Sequence, residues 1–145
     1  MTKILVIDDD AIVRKTIVQI LEQDGYQVLS AEDGARGMVL FRSEQPDLVI
    51  TDIIMPEQEG IQTITEMRRA KPDAKIIAIS GGGRIGNTDF LQIALVLGAM
   101  DVVPKPFDPD ELLLVVSACL AGRGRARGAA GVEQGKGKRT PGQAA

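Results

Sequence analysis

Apolar positions along the chain follow two alternating rhythms. Short aliphatic runs at residues 3–8, 26–31, 47–52, 75–80 and 101–104 read as strands. Between and after them, apolar residues recur every three or four positions, as on one face of a helix. The first such stretch carries Ile12, Val13, Ile17, Ile20 and Leu21, and the second Met38, Phe41 and Val39. The third carries Ile61, Ile64 and Met67, the fourth runs from Phe90 to Leu97, and the last carries Leu112, Leu113, Val115, Val116 and Leu120. Punctuation agrees with the rhythm. Asp10 can cap the first helix and Gly25 stop it, Pro46 ends the second, and Pro109 with Asp110 and Glu111 opens the last. The run closing at Asp52 has no Gly or Pro inside and is followed by Pro56, which predicts a strand buried on both faces. Five strands alternating with five helices, each crossover long enough for a helix, predict a parallel sheet with right-handed connections. The expected fold is α/β: a flavodoxin-like, doubly wound (βα)5 domain with strand order 2-1-3-4-5.

In such sheets ligands sit outside the carboxyl ends of the strands, at the switch point between the first and third. The strand ends here are chemically marked. Asp8, Asp9 and Asp10 close the first strand, Asp52 the third, Ser80 the fourth, and Lys105 follows the fifth. Carboxylates gathered in one place repel one another, and a divalent cation resolves the conflict. Oxygen donors without imidazole or thiolate suit magnesium, or manganese in its place. Asp9 and Asp52 are the expected direct ligands, with Asp8 acting through water. An aspartate can serve as a covalent nucleophile toward phosphoryl groups, and that transfer needs charge neutralisation more than acid–base work. The Lys105 ammonium and the Ser80 hydroxyl can contribute to it.

Composition narrows the function classes. The chain has no histidine, which excludes a phosphohistidine carrier, a histidine-bound zinc site and a serine–histidine triad. The single cysteine, Cys119, can form no internal disulfide; its apolar helix suggests a core residue, and a reducing cytoplasm is the expected compartment. No apolar run approaches the roughly 18 residues of a membrane span, so no membrane insertion is expected. The net charge of −3 hides an asymmetry: residues 122–145 hold six bases and one acid, which leaves −8 on residues 1–121. The reading is an acidic domain, 1–121, followed by a basic Gly/Ala/Arg/Lys-rich disordered tail, 122–145. Any contact of that tail with nucleic acid is expected to be weak and non-specific.

The segments ILVIDDD (4–10), DLVITDIIMP (47–56), IIAIS (76–80) and VPKPF (103–107) resemble, in order and spacing, the receiver domain of two-component response regulators. The resemblance implies that Asp52 accepts a phosphoryl group from a phosphohistidine on a histidine kinase or histidine phosphotransfer protein. It implies that Asp8 and Asp9 hold magnesium with Asp52 and the backbone carbonyl of Ile54, that Ser80 and Lys105 meet the phosphoryl group, and that the Lys105–Pro106 peptide is cis. It implies a phosphoacceptor that assists its own phosphorylation and dephosphorylation, not a turnover enzyme. With no output-domain pattern in the tail, a stand-alone receiver is expected. At the switch position, where the family usually has Tyr or Phe, stands Val102. Ile54 and Gly82, two residues beyond Asp52 and Ser80, offer no polar side chain to guide an attacking water, so slow self-hydrolysis is expected.

Other signals compete. Gly81-x-Gly83-x-x-Gly86 matches the dinucleotide fingerprint, but that belongs in the first strand–helix unit with an acid ending the next strand. The Asp8-x-Asp10 pair also resembles haloacid-dehalogenase-type phosphatases that work through an aspartyl phosphate. That alternative lacks its later acidic pair and room for a cap domain. The helix over 90–97 is apolar on almost every side. The surface it forms with the fifth strand and the last helix is therefore expected to bind a partner protein or a second copy of the chain.

Overall fold

A computed structural model describes residues 1–53, 59–80, 95 and 97–124. The described strands are β1 (Lys3–Ile7), β2 (Gln27–Ala31), β3 (Leu48–Asp52), β4 (Ile76–Ser80) and β5 (Asp101–Pro104). The described helices are α1 (Ala11–Gln23), α2 (Gly34–Glu44), α3 (Glu59–Ala70) and, after β5, α4 (Pro109–Leu120). All strand pairs are parallel, and the sheet order is β2-β1-β3-β4-β5. This is the expected doubly wound order. The glycine loop from Gly81, most of the apolar helix over 90–97, Ile54, Gly82 and the tail from residue 125 lie outside the described residues.

The strands alternate into two cores. Leu5, Ile7, Val49, Ile76, Ala78 and Val102 pack on one face with Met38, Phe41, Ile64 and Met67 of α2 and α3. Ile4, Val6, Leu48, Ile50, Ile77, Ile79 and Val103 pack on the other with Ile17, Leu21, Leu112, Val116 and Cys119 of α1 and α4. Every residue of β3 and β4 is buried, as a central parallel strand requires. Helix starts are set by carboxylates: Asp10 accepts from the amides of Ile12 and Val13, Asp33 from Arg36, and Asp108 from Glu111. Gly25, just past α1, has φ +95°, a conformation that favours glycine.

Two expectations about helix faces are corrected. Ile12 is 77% exposed and Val39 53% exposed. At ~100° per residue, Ile12 stands about 140° from Ile17 and about 180° from Leu21, so it leaves the sheet-facing stripe. Val39 is turned ~160° from Phe41 by the same count. Cys119 is fully buried, and burial first, with the Asp101 carboxylate behind it and Lys75 opposing, pushes its thiol up to about 12. It is a core residue and not a nucleophile.

Gln45 ends α2 with φ 50° and ψ 62°, the left-handed region, and its amide donates to the Phe41 carbonyl at 3.1 Å. A side chain there costs energy that glycine avoids. Gln45→Gly should therefore stabilise the domain by about 0.5–1 kcal/mol, net of the extra freedom glycine gives the unfolded chain. Urea titration checks this; a lower midpoint would refute it.

Candidate functional site

The register of the sheet dictates what meets at its carboxyl edge. Ile7 pairs with Thr51, so the next residues, Asp8 and Asp52, leave adjacent strands side by side. Asp52 pairs with Ile79 and Ser80 with Pro104, which brings Ser80 and Lys105 to the same edge. The Lys105 amide donates to the Ser80 carbonyl at 2.7 Å, and the Lys105–Pro106 peptide is cis.

Lys105 joins two of the acids. Its Nζ lies 3.0 Å from Asp8 Oδ2 and 3.1 Å from Asp52 Oδ2. The Asp8 and Asp52 side chains are almost entirely buried, and that of Lys105 is 17% exposed. Burial, the largest single influence on the amine, would lower its pKa. The two carboxylates beside it, Asp52 first and then Asp8, outweigh it and raise the pKa above its ordinary value. Lys105 is therefore a full positive charge at neutral pH.

Asp8 is held on every side. Its amide donates to Ala31 O at 3.2 Å, and its carbonyl accepts from Arg14 Nη1 at 2.7 Å. Asp8 Oδ1 accepts the Asp10 amide at 2.9 Å. Asp8 Oδ2 has the charge contact with Lys105, but its angles fall outside hydrogen-bond geometry, so its lone pairs stay unspent. Among the described residues the Ser80 hydroxyl, also buried, makes no hydrogen bond. Val102 is buried in the core against α2 and α3.

Asp9 is exposed, and one carboxylate oxygen each from Asp8, Asp9 and Asp52 lie within 4.8 Å of one another. The donors are hard oxygens only, and one of them is a buried oxygen without a hydrogen bond. Three negative charges against one ammonium leave a deficit of two, and the cluster fits a hard divalent cation. Ile54, the fourth ligand implied by resemblance, lies outside the described residues.

Arg14 is a site neighbour that sequence reading did not single out. Its signal was available: four residues after Asp10, a cation on the first turns of α1 can reach back over the helix start.

Fold and site together define a doubly wound α/β domain with an acid–lysine cluster at its switch point. The family model of the response regulator receiver domain matches residues 4–117, and the chain belongs to that family of two-component systems. It is 35% identical over 119 residues to the chemotaxis protein CheY of Bacillus subtilis, covering 81% of this chain and 97% of that one. It is 33% identical over 120 residues to the transcriptional regulatory protein CpxR of Klebsiella pneumoniae, covering 83% of this chain and 50% of that one. The chain spans about half the length or less of most of the curated relatives it matches. Among solved structures, a response regulator receiver domain protein from Clostridium thermocellum superposes with TM-score 0.77 at 30% identity, over 84% of this chain and 96% of that one. The receiver domain of NtrX from Brucella abortus gives 0.76 at 30% identity, over 81% and 98%.

Lys105→Met should expose what the ammonium does for the fold. Without metal, two buried carboxylates lose their shared cation, and the domain should lose about 3 kcal/mol of stability. Millimolar magnesium should restore more stability to this variant than it adds to the parent, because the ion replaces the missing charge. Urea melts with chelator and with magnesium check both parts. Equal loss under the two conditions would refute the charge-balance account.

Proposed function

We propose that the chain is a phosphoacceptor: Asp52 takes a phosphoryl group from a phosphohistidine on a sensor kinase or phosphotransfer protein. The observation that carries this reading is the placement of Lys105 Nζ 3.1 Å from Asp52, inside a cluster of three carboxylates. An Asp52 carboxylate oxygen would attack phosphorus, forming a P–O bond as the donor's P–N bond breaks. The departing imidazole nitrogen keeps the electron pair of the broken bond. A magnesium ion held by Asp8, Asp9 and Asp52, with the Ile54 carbonyl, would neutralise charge on the transferring group. Lys105 would pair with a phosphoryl oxygen, and the Ser80 hydroxyl, which makes no hydrogen bond among the described residues, would donate to another.

Output and partners are the finer part of the proposal. A receiver that works through contacts of its own surface is supported by coverage of 97% of a chemotaxis CheY. Leu114, 70% exposed on α4, belongs to the surface expected from sequence to take a partner or a second copy. The proposed organisation keeps the receiver at residues 1–121 and the basic tail at 122–145. The haloacid-dehalogenase-like phosphatase reading is not favoured, because the family match covers most of the chain.

The phosphodonor must come over the edge that carries Asp52. There Ile12, Val13 and Thr16 of α1 line a hollow of about 320 Å³ with Lys105, Pro106 and Phe107. An exposed isoleucine beside the site is well placed to meet an apolar patch on the donor protein.

Acetyl phosphate with magnesium should label the chain once per molecule, and Asp52→Ala should abolish the label. Labelling that persists in Asp52→Ala, or turnover on many small phosphoesters, would refute the assignment. The labelled protein should lose its phosphoryl group slowly, given Ile54 and Gly82; decay within seconds would count against that. Ile12→Ser should slow transfer from a protein donor about tenfold and leave labelling by acetyl phosphate unchanged. Equal slowing with both donors would remove Ile12 from the docking surface.

A further inference from the structure

Gly60 stands in the first turn of α3 and is buried. Its close neighbours are not side chains but the end of β3. A Cβ at this position would fall on the Asp52 carbonyl oxygen and stand 2.5 Å from Ile53 Cα and 2.9 Å from the Ile53 carbonyl carbon. No rotamer change relieves such a clash, because every atom involved is main chain. That main chain is already committed. The Asp52 carbonyl accepts from the Thr51 hydroxyl at 3.2 Å, and the Ile53 amide donates to Ile79 O at 3.0 Å. A methyl group at residue 60 must therefore either lift α3 away or push the Asp52–Ile53 peptide along the sheet edge.

We propose that Gly60 is a positioning residue for the phosphoacceptor. By letting α3 close directly on the Asp52–Ile53 peptide, it fixes where the Asp52 carboxylate sits relative to Asp8 and Asp9. The inference rests on the phosphoacceptor reading above. Gly37 supplies the contrast. It too is buried in a helix, but a Cβ there would meet only the Ile7 side chain, at Cδ1 and at Cγ1 2.9 Å away. Those atoms belong to a core side chain on β1 and not to the main chain that carries Asp52. Crowding at Gly37 disturbs packing, whereas crowding at Gly60 moves the reacting group.

The test compares the full chain with Gly60→Ala and Gly37→Ala, at a temperature where circular dichroism finds each folded. Two quantities are read: manganese affinity by electron paramagnetic resonance, and the rate of labelling by acetyl phosphate at saturating metal. Gly60→Ala should be labelled about a hundredfold more slowly and bind manganese about tenfold more weakly. Gly37→Ala should melt earlier yet bind and react as the parent does. A folded Gly60→Ala with parental affinity and rate would overturn the proposal. So would a Gly37→Ala with the same defects, since the effect would then be general loosening. Should Gly60→Ala not fold in buffer, trimethylamine oxide is added to favour the compact state. Failure to fold even there would assign the contact to the fold as a whole and also overturn it. A parent that neither binds manganese nor is labelled would defeat the phosphoacceptor reading itself, an outcome visible without any variant.

Discussion

One ammonium holds the carboxyl edge of the sheet together. Lys105 lies within 3.1 Å of carboxylates from two different strands, both almost sealed from water. Either carboxylate buried alone would be expensive, because desolvation penalises the charged form strongly. The lysine makes the pair tolerable but does not balance the cluster, since Asp9 adds a third charge close by. That imbalance is what gives the site its chemistry. A neutral arrangement would have no need of a cation, and a more negative one would be hard to fold without it.

Strand parity explains why the lysine reaches these two acids in particular. Ile4 and Val6, Leu48 and Ile50, and Val103 all face α1 and α4. Continuing the alternation by two residues sends Asp8, Asp52 and Lys105 to that same side. Ser80 has the opposite parity, following Ile76 and Ala78. Among the described residues its hydroxyl makes no hydrogen bond, while its carbonyl accepts the Lys105 amide. A slip of one residue in any strand would turn the corresponding group to the wrong side. In β3 and β4 the polar residues Asp52 and Ser80 stand at the carboxyl end, so a slip there would carry a polar group into the core.

Much of this was legible in the chain. Aliphatic runs gave the strands, acids and prolines marked the helix starts, crossover length gave a parallel sheet, and the flavodoxin-like order was its natural solution. The meeting of Asp8, Asp9, Asp52 and Lys105 followed from the order. Ile12 and Val39 went astray because apolar character was counted without angle; strict spacing already turns both away from the buried stripe. Gly60, just ahead of the apolar stripe of the third helix, carries no such mark. Its closeness to the Asp52–Ile53 peptide depends on how α3 docks, and no local pattern encodes a distance between segments. Arg14 posed a similar problem, since a partner on the Asp8 backbone carbonyl leaves no trace in residue type.

Val102 gives the site a further constraint. It is 2% exposed and packed among Ala78, Ile64 and Met67, with no aromatic ring to swing between core and surface. If Asp52 takes up a phosphoryl group as proposed, the change would be passed on through groups already at the edge. The buried Ser80 hydroxyl would respond first, since among the described residues it has no partner and an unpaired buried hydroxyl costs roughly 1–3 kcal/mol. A phosphoryl oxygen on Asp52 would supply that partner and compete with Asp8 for the lysine at the same time. The lost ion pair and the gained hydrogen bond act on β4 and β5 together, since the Lys105 amide is bound to the Ser80 carbonyl. On the phosphoacceptor reading, any coupling between site and surface in this chain would then run through the backbone of these two neighbouring strands.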